Sequence, residues 1–212
     1  MSGAREEILQ RIAAVVAPAA ALPAAAREYR RAGAFSENER AELFCRRVGE
    51  YRSDVHRIDE SEVPTLISSI CRALGARRLV VPLGLPPAWR GADVELVDDD
   101  GLSAVELDGV SGALTGCTAA IAETGTIVLT AGPLEGRRAL TLVPDLHICV
   151  VRESQIVQLL PEAMASVAAK RLERQPITFI SGPSATSDIE LSRVEGVHGP
   201  RTLVVLVVKE PQ

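Results

Sequence analysis

The sequence predicts an α/β protein in which a parallel sheet is covered by helices on its faces. A helical pattern over residues 62–74 is followed by a buried apolar run at 78–82 and by a second at 94–97. This strand–helix–strand alternation is typical of a parallel sheet. Hydrophobic residues make up 47% of the 212 residues, which is enough to build a sizeable core.

The composition argues against two classes of partner. The net charge is −5 and only 3% of the residues are aromatic, so we expect no nucleic-acid binding. Glu6, Glu7 and Arg11 lie where a signal peptide needs an apolar stretch, and no apolar run reaches the length of a membrane span. We therefore expect a cytoplasmic protein without membrane insertion.

No metal or cofactor site is evident in the sequence. The four cysteines, at positions 45, 71, 117 and 149, form no CxxC pair, which disfavours an iron–sulfur or zinc site and favours free thiols in a reducing cytoplasm. Three consecutive aspartates, Asp98, Asp99 and Asp100, precede Gly101 but lack the spacing of a calcium loop. They predict a solvated turn.

Residues 1–35 are predicted to be an N-terminal helix and a linker. Ile8, Ile12 and Val15 recur at helical spacing, and Pro18 and Pro23 interrupt the alanine-rich stretch that follows. The helix can fold back on its own domain or dock on a partner. Residues 36–212 are predicted to form the α/β domain.

The domain begins with a helix whose start is marked by a capping box. Ser36 and Glu39 have the spacing in which each side chain bonds the backbone N–H of the other, and the helix should extend to about Tyr51. Gly75 is expected to end the helix over 62–74. Further strands are predicted at 55–58, 126–130, 148–151, 177–180 and 203–208, and a further helix begins with Pro161.

The first candidate site is the run Glu123-Thr124-Gly125-Thr126, which precedes the strand at 126–130. A carboxylate held against a glycine turn can act as a base, as a nucleophile, or as a hydrogen-bond anchor for the turn itself. The residues alone leave these three roles open.

The second candidate site follows the run at 177–180, whose β-branched and aromatic residues predict a buried strand. The apolar pattern stops at Ser181-Gly182-Pro183 and gives way to hydroxyl and carboxylate side chains, at Ser184, Thr186, Ser187, Asp188 and Glu190. Backbone N–H groups and hydroxyls at the carboxyl end of a strand favour an anionic ligand, although the same residues can serve as turns and caps. His198 precedes Gly199 and Pro200 and is expected to face a cleft, whereas His147 is expected to be a packed core histidine.

Four motifs together resemble a known family. They are Ala122-Glu123-Thr124-Gly125-Thr126, the element from Pro144 to Ile148 that contains His147, the run from Gly182 to Glu190, and Gly196-Val197-His198-Gly199-Pro200. In this order they look like the LUD domain, specifically the lactate-utilisation protein C family, over residues 36–209. The resemblance implies a three-layer NagB/RpiA/CoA-transferase-like fold. It also implies a role in oxidising L-lactate to pyruvate with two iron–sulfur proteins, of which this chain is the small partner without cysteine clusters.

Two functions follow as expectations. The first is a component of a lactate-oxidising system that binds a small anion between the two motifs, with Glu123 near the ligand and His198 at the rim. The alternative is a stand-alone enzyme for a sugar phosphate or CoA ester, with Glu123 as nucleophile or base. A regulatory binding module is a third reading. The ligand-binding residues implied are Thr124, Gly125, Thr126, Gly182, Pro183, Ser184, Thr186, Asp188, Glu190 and His198.

Overall fold

The structure is a computed structural model that describes residues 3–15, 28–91, 93–169, 175–183, 185–187, 193–195 and 198–210. Helix α1 (Gly3–Val15) exposes every one of its residues. No helix in the described ranges is both long enough and apolar enough to cross a membrane.

A six-stranded parallel sheet forms the centre of the molecule, in the spatial order β1-β12-β7-β4-β2-β3. Two of its interior strands are buried on both faces over most of their length, which explains their nearly continuous apolar sequences. The strands are β1 (Asp54–Asp59), β2 (Arg78–Val81), β3 (Glu95–Asp98), β4 (Gly112–Thr115), β7 (Leu146–Arg152) and β12 (Thr202–Lys209).

A second, mixed sheet of four strands packs against one face of the parallel sheet. Its order is β8-β5-β6-β9, in which β5 pairs with β6 and β6 with β9 in antiparallel fashion. The strands are β5 (Ala119–Ile121), β6 (Thr126–Leu129), β8 (Ile156–Val157) and β9 (Thr178–Ile180). A separate antiparallel pair consists of β10 (Ala185–Ser187) and β11 (Arg193–Glu195).

Helices complete the layers. Helix α3 (Val63–Leu74) covers the other face of the parallel sheet through Val63, Ile67 and Ile70. Helix α2 (Glu37–Glu50) lies with the mixed sheet and buries Phe44 and Val48. Helix α4 (Ala104–Asp108) packs near β2 and β4 on the face opposite to α3, and α5 (Leu160–Ala169) packs on the outer face of the mixed sheet.

The α/β expectation, with a parallel sheet and helices, is confirmed, and so is the capping box of Ser36 and Glu39 at the start of α2. Two details differ. The strand at 178–180 is an edge strand of the mixed sheet and leaves Phe179 half-exposed, so it is not the buried strand that its apolar residues predicted. Asp99 is not merely solvated: its carboxylate accepts two hydrogen bonds from Arg137, each 2.8 Å long, and its side chain is almost fully buried.

Candidate functional site

A cleft of about 230 Å³ lies between the two sheets, at the carboxyl end of β9 and the amino ends of β7 and β12. Its walls come from a 3₁₀ turn, from the two parallel strands, from β9 with the turn after it, and from the segment before β12. The lining residues are Arg138, Thr141, His147, Leu203, 178–183 and 198–200. Gly182, Pro183 and His198, all predicted site residues, therefore meet in one cleft.

The cleft lies at the amino ends of two strands of the parallel sheet, which is the edge opposite to the usual ligand site of such sheets. Ligands in such sheets bind at the carboxyl ends of the strands. Here the turn of Gly182 does follow the carboxyl end of its strand, but that strand belongs to the mixed sheet. Its carboxyl end meets the amino end of β12, so the Gly182 turn does not lie at the carboxyl edge of the parallel sheet.

Gly182 is required by the close approach of helix α2. Its φ of 90° is a conformation that side chains disfavour, and a Cβ added there would lie 2.6 Å from the Cβ of Tyr51. Tyr51 is the C-terminal cap of α2. The Ser181-Gly182-Pro183 turn is therefore fixed by packing against this cap.

Arg138 supplies positive charge to the cleft. Its Nη1 donates to Thr141 Oγ1 at 2.9 Å, and its Nη2 lies 3.4 Å from the carbonyl oxygen of His198. Burial lowers the pKa of Arg138, and no carboxylate of the described residues offsets that effect. The neighbouring Arg137 differs, because hydrogen bonding to Asp99 raises its pKa.

His147 lies at the floor of the same cleft and is fully buried. Its Nε2 is 2.8 Å from the hydroxyl oxygen of Thr115, which in turn donates to the carbonyl of Gly116 at 2.9 Å. Its Nδ1 is buried and has no hydrogen-bond partner among the described residues. His147 is thus a packed, buried histidine, as expected.

Glu123 lies in the tight turn between β5 and β6 and is held by two side chains. Both of its carboxylate oxygens accept hydrogen bonds from Arg30, at 2.9 Å each, and Gln158 Nε2 donates to one of them at 3.1 Å. Hydrogen bonding to Arg30, and then to Gln158, lowers the pKa of Glu123 below its ordinary value. Glu123 therefore anchors the chain in this structure.

The same anchor extends to the linker strap, which we define as residues 30–35. The backbone amides of Ala34 and Phe35 both donate to Gln158 Oε1, at 2.8 and 3.0 Å, and that of Gly33 donates to Glu162 at 3.1 Å. The strap is thereby tied to the segment that joins β8 to α5.

The two predicted motifs are neighbours, as expected. The hydroxyls of Thr124 and Thr126 are 2.7 Å apart, and that of Thr126 is 2.7 Å from Ser181. The Glu123 carboxylate, however, faces the strap and is not among the residues that line the cleft. Thr186 lies in β10, while Ser184, Asp188 and Glu190 lie outside the described residues.

Among the lining residues that were not predicted as site residues, two have side-chain nitrogens, Arg138 and His147. Arg138 directly follows Arg137 in a loop. No local pattern distinguishes Arg137, which pairs with Asp99, from Arg138, which lines the cleft. His147 belongs to one of the four motifs, but its position at the start of an apolar strand favoured a packing role. The signal that could have identified it is the Thr115 partner, which is 32 positions away.

Comparison with known proteins shows the family. The LUD domain model matches residues 104–208. A Deinococcus radiodurans protein named Lactate utilization protein C is 52% identical over 175 residues, which are 80% of this chain and 81% of that protein. Uncharacterized protein YkgG of Escherichia coli K12 is 37% identical over 94 residues, 42% of this chain and 40% of that protein.

A solved structure agrees with these sequence matches. The crystal structure of a DUF162 family protein from Deinococcus radiodurans is 42% identical, with a TM-score of 0.70, and the match covers 82% of this chain and 99% of that one. The chain therefore belongs to the LUD domain family, with the lactate utilisation protein C and YkgG proteins.

Proposed function

We propose that this chain is a small component, without an iron–sulfur cluster of its own, of a system that oxidises L-lactate to pyruvate. It works with two iron–sulfur proteins and binds a small anionic ligand in the cleft beside Gly182. The observation that carries the proposal is the 52% identity to a protein named Lactate utilization protein C over 80% of the chain. The cleft supports ligand binding, because Arg138 brings a positive charge that no described carboxylate neutralises.

The alternative, a stand-alone enzyme with Glu123 as nucleophile or base, has less support. A general base works best with a pKa near the operating pH, whereas the Arg30 guanidinium lowers the pKa of Glu123. Glu123 is also absent from the residues that line the cleft.

Growth on lactate tests this proposal. A clean deletion of the gene, in a host without a second copy, should abolish growth on L-lactate and leave growth on pyruvate unchanged. Expression of the wild-type chain should restore growth on lactate. Affinity purification of the tagged chain should also recover two iron–sulfur proteins. Normal growth of the deletion strain on lactate would remove the proposed function.

A further inference from the structure

Helix α1 carries an apolar stripe that no other described residue covers. Ile8, Ile12 and Val15 recur at i, i+4 and i+7, which is the spacing of one helix face, and Leu9 lies beside them. These four residues are 49–85% exposed. Single exposed apolar residues are normal on a protein surface, whereas a stripe of four on one helix marks a contact surface.

A helix of this length needs a surface on which to pack. Thirteen residues are close to the minimum for an isolated helix in water, so its stability must come mainly from packing of an apolar face. Within α1 the described side chains add one ion pair, between Arg11 and Glu7 at 2.7 Å. Both partners are largely exposed, so the pair contributes little. The apolar stripe therefore requires a partner surface.

A groove with matching chemistry lies between the start of α5 and the start of the linker strap. This surface, which we call the α5 groove, is lined by residues 29–31, 159–161, 164 and 165 and has a volume of about 860 Å³. All of its lining residues except two arginines are apolar or aromatic. Tyr29 and Leu160 are about half-exposed, so the groove is open to a partner. Grooves of this kind receive the apolar face of an amphipathic helix.

The linker strap holds one wall of the α5 groove in place. The backbone amides of Ala34 and Phe35 donate to Gln158. The amide of Gly33 donates to Glu162, which lies in the first turn of α5. The two segments that line the groove are thus tied together by the protein itself. A groove that is formed in advance costs less conformational entropy to fill.

The chain itself supplies an occupant within reach. Residues 16–27 join the last residue of α1 to Glu28, which directly precedes the groove residue Tyr29. Twelve residues span at most about 40 Å, and a helix of thirteen residues is about 20 Å long, so α1 can lie along the groove. A tether of this length gives an effective concentration of about 1 mM, so even a weak contact would be populated.

The charges of the helix and the groove are complementary. Arg31 lines the groove with its guanidinium carbon 5.5 Å from the ring centre of Tyr29, and it pairs with no carboxylate of the described residues. Glu6, in the first turn of α1, has no cationic partner among the described residues either. Docking would bring an unpaired cation and an unpaired carboxylate to one surface, which favours this helix over a basic one.

We propose that α1 docks its apolar stripe into the α5 groove of its own chain. The N-terminal helix then packs on the α/β domain, with the strap beside it, and is not a free appendage. This docking is independent of the cleft beside Gly182 and of growth on lactate, so neither result of the growth experiment bears on it.

Methyl NMR of the full chain tests the docking through Met164, which lines the groove. The sequence contains one other methionine, Met1, so Met164→Leu assigns the Met164 ε-methyl resonance. Ile12→Glu places a charge in the stripe. It should shift that resonance and accelerate hydrogen exchange of the α1 amides at least about tenfold. Gln10→Glu adds the same charge on the opposite side of the helix and should change neither.

A charge in the groove should have the same effect on the helix. Met164→Glu should accelerate exchange of the α1 amides as much as Ile12→Glu does. Ala168→Glu, at an exposed position of α5 outside the groove, should leave that exchange unchanged. An unshifted Met164 resonance in Ile12→Glu, or α1 amides that exchange equally fast in the wild type and in Met164→Glu, would overturn the proposal.

A mixture of two variants distinguishes docking within one chain from docking between copies. The ¹³C-methyl-labelled Ile12→Glu chain keeps the groove intact, and the unlabelled Met164→Glu chain keeps the helix intact. At about 0.1 mM of each, below the effective concentration of the tether, the labelled Met164 resonance should stay at its shifted position. Its return to the wild-type position would show that the helix comes from a second copy, and would refute docking within the same chain.

Discussion

Two arginines at the two candidate sites have opposite surroundings. Arg30 is largely exposed, yet both oxygens of Glu123 accept hydrogen bonds from its guanidinium. Arg138 is half-buried and lines a cleft, and no carboxylate of the described residues pairs with it. The first arginine is satisfied by the protein, whereas the second retains donors for another molecule.

The two arginines therefore belong to two separate sites, a structural contact at Glu123 and a cleft at Gly182, whereas the sequence predicted a single cleft formed by both motifs. The Glu123 turn, with the strap and Gln158, is a structural junction held together by hydrogen bonds within the protein. The Gly182 cleft is lined by Arg138, and none of the described residues that line it is a carboxylate. Substitutions at the junction should therefore change stability, and substitutions in the cleft should change ligand affinity.

The largest effect at the junction is expected for Gly125→Ala. Gly125 has a φ of 60°, and a Cβ there would lie 2.8 Å from the backbone carbon of Arg47 in α2. Left-handed strain of about 1–2 kcal/mol and overpacking of about 1–3 kcal/mol should together lower the free energy of unfolding by about 3 kcal/mol. Urea denaturation would measure this loss.

Gly75→Ala is the matched control for that substitution. Gly75 has nearly the same backbone conformation, with a φ of 67°, but a Cβ there would meet nothing within 4 Å. It should lose only the strain, about 1 kcal/mol. Equal losses for the two variants would show that the turn is not packed tightly against α2.

A smaller effect is expected for Gln158→Leu. Leucine removes the buried acceptor of the Ala34 and Phe35 amides and the donor to Glu123. The free energy of unfolding should fall by about 1–3 kcal/mol, and hydrogen exchange of those two amides should accelerate. Gln10→Leu, on an exposed position of α1, should change stability by less than about 0.5 kcal/mol. Unchanged exchange at both amides would contradict the proposed attachment of the strap.

The smallest effect is expected for Arg30→Ala, because exposed ion pairs contribute only about 0–1 kcal/mol. The variant should have a clearer effect on the pKa of Glu123 than on stability. The pKa of Glu123 is lowered in the folded state, so the ion pair stabilises the protein above the unfolded pKa and ceases to do so as the pH falls through the folded pKa. NMR titration of the variant should show a higher pKa for Glu123. Arg31→Ala, which removes only a cation–π contact with Tyr29, should leave that pKa unchanged.

The sequence predicted those elements whose local pattern determines their structure. The β-branched runs of β7 and β12 identify buried strands, and Ser36 with Glu39 identifies the start of α2. Strands β4 and β5 escaped prediction because they are built from Gly, Ala and Thr with few β-branched apolar residues. The capping box of Ser103 and Glu106 is a local sequence signal for the start of α4.

The site was less predictable because its contacts join distant parts of the chain. Arg30 and Glu123 are 93 positions apart, and Thr126 and Ser181 are 55 apart. No local pattern encodes which of two adjacent arginines, Arg137 or Arg138, faces the cleft. That distinction depends on Asp99, which is 38 positions away and accepts hydrogen bonds from Arg137.

The position of β12 in the parallel sheet has a consequence for how the chain folds. Strand β12 lies between β1 and β7, and among the described strands β1 pairs only with β12, so Asp54 pairs with Val204, which is synthesised much later. Parallel pairing across such a long separation is slow, because the loop must close before the contacts form. During synthesis, the edges of β1 and β7 that pair with β12 therefore remain unpaired until β12 has been made, and a chain that stops before residue 202 leaves a gap between these two strands.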